Sequence, residues 1–218
     1  MKEQEIAFMG KITAGITHEM NNVLAIIRES AGLIQDILAI INKDGPLPHR
    51  EKIEQALARV GDQVTRGVGL NKELNHFAHS MDRPEAELEL EELLVHIQAL
   101  NARFARLKQV DLNIAGSSSA GQIRANPFLL LQLFNACVEC CLERTGIGGE
   151  VMLSCESTDS GPAINILGKP FCLPEGQAGS PEDNLAAAIA SLEPLIQELP
   201  ARLSMLERDG RAGIQVLF

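Results

Sequence analysis

Apolar residues at Ile12, Ile16, Met20, Val23, Ile27, Ile34, Leu38 and Ile41 recur at steps of three and four, which predicts one amphipathic helix over about residues 2–43. Asp44-Gly45-Pro46-Leu47-Pro48 then supplies turn conformations that no helix interior accepts. A second helix is expected over about residues 50–81, with Ile53, Leu57, Val60, Val64, Val68, Leu70, Leu74 and Phe77 as its apolar positions. Two long helices on a short connection make an antiparallel hairpin. A lone hairpin cannot cover both stripes. Pairing with a second copy into a homodimeric four-helix bundle is the economical solution, and packing on the chain's own C-terminal half is the other.

The pattern changes after Asp82-Arg83-Pro84-Glu85, where acidic residues and a proline close the second helix, so the expected domains are 1–82 and 83–218. Glu91 to Leu107 is again amphipathic, Val110 to Ile114 alternates like a short strand, and Gly116-Ser117-Ser118-Ser119 reads as a loop. Asn126-Pro127 opens a strongly apolar helix. Glu150 to Glu156 and Ala163 to Leu167 read as strands that pair across Asp159-Ser160-Gly161. Asn184 to Leu199 reads as a helix with Asp183 near its start, and Arg202 to Glu207 and Gly213 to Phe218 as a hairpin across Asp209-Gly210. The fold class predicted is α plus α/β: a helical hairpin followed by an α/β sandwich with helices on one face of a mixed sheet.

Composition narrows the chemistry. At 218 residues and 45% hydrophobic content the chain has ample material for packed cores, and with no Trp or Tyr and only seven Phe those cores are aliphatic. A net charge of -10 argues against a general nucleic-acid or anionic-membrane surface. The start, MKEQEIAFMG, lacks the regions of a signal peptide, and no apolar run reaches the roughly 18 residues that span a bilayer, so a cytoplasmic location is expected. Five cysteines without an export signal do not suggest a disulfide framework. Cys137, Cys140 and Cys141 lie in an apolar helical run and read as small core side chains, while His76 and His79 share a helix face with no third metal ligand nearby.

The run His18-Glu19-Met20-Asn21-Asn22 carries the candidate chemistry. His18 lies two residues beyond Ile16, about 200° round the helix, and so points away from the apolar stripe. An imidazole offers a nucleophilic nitrogen at neutral pH, and a neighbour sets which nitrogen holds the proton. Glu19 is adjacent and Asn22 one turn on. The segment resembles the phosphoacceptor box of bacterial sensor histidine kinases, with His18, Glu19 and Asn22 each on a position of that pattern. Val23 stands where the family usually has a proline, which leaves the helix straighter.

The resemblance implies a homodimeric bundle, and residues 88 to 218 resemble the family's ATP-binding domain in the order of their elements. Asn135 falls on the first Asn of its nucleotide motif. The second, magnesium-holding Asn is replaced by Glu139, which brings negative charge toward a triphosphate. No Asp-x-Gly-x-Gly occurs after the second central strand, which is expected to run into Leu167-Gly168-Lys169-Pro170, and the glycine-rich lid is reduced to Gly176 and Gly179. These losses imply a fold kept without nucleotide binding. The expected function is a histidine phosphotransferase or phosphatase of a two-component phosphorelay, with His18 as acceptor. Glu19 would accept a hydrogen bond from the imidazole, and Asn22 would orient a water. The expected partner is a response-regulator receiver domain, which supplies Mg²⁺, and no cofactor is expected on this chain. The alternatives are a divergent active kinase using Glu139 for metal, and a non-catalytic dimeric scaffold or kinase inhibitor.

Overall fold

A computed structural model describes residues 3–40, 50–116, 121–173 and 180–218. The chain divides into two compact units, Met1–His76 and Phe77–Phe218. The expected turn at 44–48 and the glycines at 176 and 179 lie outside the described residues.

The first unit is built from α1 (Glu3–Ile40) and most of α2 (Arg50–His79). On α1 the buried positions include Ile12, Ile16, Glu19, Val23, Ser30 and Ile37. On α2 the less exposed positions include Ile53, Ala56, Val60, Gln63, Gly67 and Leu70. Both sets advance by three and four, the seam of two helices packed along their length. Gly67 marks a close approach: a Cβ there would stand 3.3 Å from Val23 Cγ1. That contact also fixes direction, because parallel helices meeting at this level would need residues 41–49 to span about 50 Å, beyond the roughly 3.3–3.6 Å per residue of extended chain. The helices are antiparallel.

The seam differs from the expected stripes. Leu38, Leu57, Val64 and Val68 are exposed, at 51%, 55%, 49% and 65%, while Ile37 and Ala56 take the buried positions. Each exposed residue lies one step beyond a seam position, about 100° further round its helix. Because the helices run in opposite directions, that step turns both sets toward the same side of the hairpin. Leu24, also exposed, falls on it. A sequence stripe wide enough to look like one face is therefore two: an inner seam and an outer apolar strip.

The second unit contains β1 (Ala86–Glu89), α3 (Leu90–Leu107), β2 (Asp111–Ile114), β3 (Gln122–Ala125), α4 (Pro127–Glu143), β4 (Thr145–Thr158), β5 (Gly161–Phe171), α5 (Pro181–Ile196), β6 (Arg202–Arg208) and β7 (Arg211–Leu217). The main sheet has the order β2-β4-β5-β7-β6, with β2 parallel to β4 and the other pairs antiparallel. Val151, Leu153, Ile164, Ile166, Ile214 and Val216 fill the helix-facing side and are fully buried. Between them, Glu150, Ser154 and Glu156 alternate toward the other face. Asn126 caps α4 by accepting from Leu129 N at 3.1 Å, with Pro127 at the first helical position, and Ser180 with Pro181 repeats the device on α5. The second cap moves α5 three residues earlier than its apolar pattern suggests. At the β6–β7 turn, Asp209 and Gly210 both have positive φ, 55° and 67°, as a two-residue hairpin of matching twist requires.

Two features of this unit were not expected. β1 and β3, four residues each, form a separate antiparallel pair, with Leu88 opposite Ile123. β5 continues through Leu167-Gly168-Lys169-Pro170 to Phe171, so these residues are strand and not the turn after it.

On the face away from the helices, Glu156 accepts from Arg208 at 3.0 and 3.2 Å and from Asn165 at 2.8 Å, and Glu150 accepts from Arg211 and Asn113. The hydrogen bond from Arg208 holds the Glu156 carboxyl below its ordinary range, and that from Asn113 does the same for Glu150. A depressed native pKa gives stability that is present above the unfolded value of about 4.3 and lost as pH falls through the native one. In thermal melts below about pH 4.3, the Glu150→Gln/Glu156→Gln variant is expected to lose less stability per pH unit than wild type.

Candidate functional site

His18 sits in the middle of α1 with its ring exposed, as its place opposite the seam requires. The Asn22 side chain, one turn on, brings Nδ2 to 3.3 Å from His18 Nδ1. The contact lies on the surface between positions i and i+4, where helical side chains meet. An amide presents donors on one side and an acceptor on the other. With Nδ2–H toward the ring, Nδ1 accepts and the proton resides on Nε2. A half-turn of the amide puts Oδ1 there instead, which fixes the proton on Nδ1 and frees the Nε2 lone pair. The side of the amide that faces the ring therefore decides which ring nitrogen holds the proton.

Glu19, expected to accept from the imidazole, is bonded across the seam. Its side chain is 8% exposed and accepts from the Arg66 guanidinium of α2, and the Asn22 amide lies against the ring. Glu19 occupies a seam position, and burying a carboxylate there costs several kcal/mol unless a cation and hydrogen bonds compensate. Gly67, next to Arg66, lets the helices close at this level. The sequence reading did not single out Arg66. The available signal was a carboxylate falling on a buried heptad position, which demands a cation on the facing helix.

In the second unit, Asn135 is buried within α4, with Oδ1 lacking a hydrogen-bond partner. Glu139, one turn on, faces an open cleft of about 450 Å³ between α4 and α5, lined also by Cys140, Glu143, Arg144, Asn184 and Ser191. Arg144 is buried and committed: it donates to Asn184 Oδ1 at 2.9 Å and to the Cys140 carbonyl at 2.9 Å, capping the negative end of α4. Glu139 and Glu143 flank this cleft, so a phosphate entering it meets two carboxylates. Burial pushes the Cys140 thiol up to about 11 and raises those of Cys137 and Cys141. All three are unreactive core groups at neutral pH.

His79 Nδ1 lies 2.6 Å from Asp82 Oδ2, and among the described residues no group of three or more His, Cys, Asp or Glu is placed to hold a metal ion. Among those residues, no helix is long and apolar enough to cross a membrane.

No protein-family model and no curated protein matches the chain. Solved structures do. A bacterial phosphotransferase is similar over 99% of this chain and 97% of its own, at 10% identity and a TM-score of 0.48. The histidine kinase ThkA, in complex with response regulator protein TrrA, is similar over 97% of this chain and 61% of its own, at 16% identity and a TM-score of 0.47. Acinetobacter baumannii histidine kinase AdeS is similar over 91% of this chain and 95% of its own, at 13% identity and a TM-score of 0.45. Folds of this kind are shared by proteins of different activity, and activity resides in side chains.

Proposed function

We propose that the chain is a histidine phosphotransferase of a two-component phosphorelay, exchanging a phosphoryl group between His18 and a response-regulator aspartate without using ATP. The observation that carries the reading is the exposed His18 ring with the Asn22 amide on Nδ1. When Asn22 Oδ1 accepts Nδ1–H, the Nε2 lone pair attacks phosphorus, the P–O bond to the acyl oxygen breaks, and its electron pair leaves with the receiver's carboxylate. The Nδ1 proton stays on the ring, whose positive charge is offset by the transferred phosphoryl group, so charge balances. An acyl phosphate is an activated donor, and positioning supplies most of what the step needs. Mg²⁺ comes with the receiver's own acidic pocket. Asn22 orienting a water toward the same aspartyl phosphate adds a phosphatase activity.

The acidic α4–α5 cleft, with its one buried cation already committed, supports a sandwich at 83–218 that acts as a docking body and not as an ATPase. Glu139 is the residue on which a divergent kinase would depend. Titration with Mg²⁺-ATP in a calorimeter tests this. The proposal expects no binding at micromolar nucleotide, and low-micromolar affinity would replace it with the kinase reading.

The outer strip of Leu24, Leu38, Leu57, Val64 and Val68 supports a homodimer, in which two hairpins of residues 1–82 close a four-helix bundle. By light scattering after size exclusion, wild type is expected at twice the chain mass and Leu57→Glu/Val68→Glu at the monomer mass. Two charges on an apolar interface core cost more than the strip contributes.

A further inference from the structure

We infer that Gly69 belongs to the receiver-docking surface, kept without a side chain so that a receiver domain can seat against His18; this rests on His18 exchanging a phosphoryl group with a receiver. A glycine inside a helix costs stability, because the unfolded chain gains freedom and the helix gains no side-chain contact. At Gly67 the seam requires it: a Cβ would stand 3.3 Å from Val23 Cγ1 and 3.8 Å from Met20 Sδ. At Gly69 the fold does not. Beyond its own helix backbone and chain neighbours, a Cβ there would meet no heavy atom of the described residues within 4 Å, and the position is exposed.

The side of the hairpin on which Gly69 lies supplies the reason. Gly69 stands one step before the seam position Leu70, as His18 stands one step before Glu19. In an antiparallel pair those steps turn both residues to one side, opposite the strip of Leu24, Leu57, Val64 and Val68. Gly61, one step beyond Val60, falls on the strip side, where the proposed second copy closes. Gly69 stays uncovered. Because Gly67 faces Met20 and Val23, Gly69 lies near the level of residues 18–22, and helices packed about 8–10 Å apart place it within roughly 12 Å of His18. An ordinary interface covers about 800 Å² of each partner, a disc of about 16 Å radius. A receiver centred on the His18 ring therefore lies over Gly69, and a side chain there would stand between the two surfaces. The glycine trades helix stability for a recess that admits a protruding side chain of the receiver.

The test uses the full chain. Calorimetric titration with an unphosphorylated receiver domain gives affinity, transfer from the phosphorylated receiver gives kcat and KM, and thermal melts report the fold. Gly69→Ala is expected to raise Tm by about 2–4 °C, as replacement of a helix-interior glycine at an unstrained site allows. Gly69→Leu is expected to melt no lower than wild type, to bind the receiver about tenfold more weakly and to raise KM about tenfold, with kcat within about twofold. Gln55→Leu, on the same side but about 21 Å further along α2, is expected to leave affinity and KM within about twofold of wild type. Wild-type affinity in Gly69→Leu overturns the inference. So does a Gly69→Leu chain that melts lower than wild type or does not fold, because the glycine would then serve the fold, and so does an equal loss in Gln55→Leu. A wild type that binds the receiver but takes no phosphoryl group ends the phosphotransfer reading, while the titrations still decide the role of Gly69. A wild type that binds no receiver ends both.

Discussion

The His18→Gln variant is expected to accept no phosphoryl group from a phosphorylated receiver, a loss on the order of 10⁴-fold or more, as removal of a reacting nucleophile produces. Glutamine keeps a polar side chain of similar length on the exposed face of α1, and its carboxamide has no nucleophilic nitrogen. His18 packs against nothing in the seam, so thermal stability is expected to stay within about 0.5 kcal/mol of wild type. Activity lost at unchanged stability separates chemistry from folding. Radiolabel transfer and a thermal melt on the same preparation read both.

The largest stability effect is expected from Phe134→Ala in the centre of α4. Phe134 is 0% exposed, and its ring centroid lies 6.3 Å from that of Phe218 on the strand side of the core. Neighbours of α4 cannot collapse into the space, because the helix is packed on nearly all sides, as its almost uniformly apolar sequence requires. Removing a buried phenyl ring from such a site costs about 3–5 kcal/mol, the transfer term plus the cavity. Urea unfolding of the second unit is expected to show that loss as a lower midpoint. Ile147→Ala, at a side chain 80% exposed, is expected to change the midpoint little.

Local chemistry made much of this fold legible in the sequence. Asn126-Pro127 names a helix start, and Asp209-Gly210 between two apolar runs names a hairpin, because in each case a backbone requirement falls on residues that meet it. What the sequence did not show depends on distant partners. β1 and β3 are four residues each and become strands only by pairing across about thirty residues of chain. The lower part of α2 carries apolar residues on two adjacent faces, and periodicity alone cannot say which one meets α1; Gly67 against Val23 decides it. β5 outruns its apolar core because its neighbour β4 pairs with it out to Phe171.

The candidate site divides in the same way. His18 and Asn22 come together because four residues is one helical turn. Glu19 matches the same pattern beside His18, yet adjacent residues on a helix point about 100° apart, and its carboxylate meets Arg66 in the seam. Its partner Arg66 lies across the hairpin, where no local pattern announces it.

Mapping of phosphohistidine by mass spectrometry under neutral conditions, after incubation either with Mg²⁺-ATP alone or with a phosphorylated receiver domain, addresses the central claim directly. The account predicts phosphate on His18 from the receiver and none from the nucleotide. Phosphate on His18 from ATP alone, or none on His18 from either donor, would contradict it.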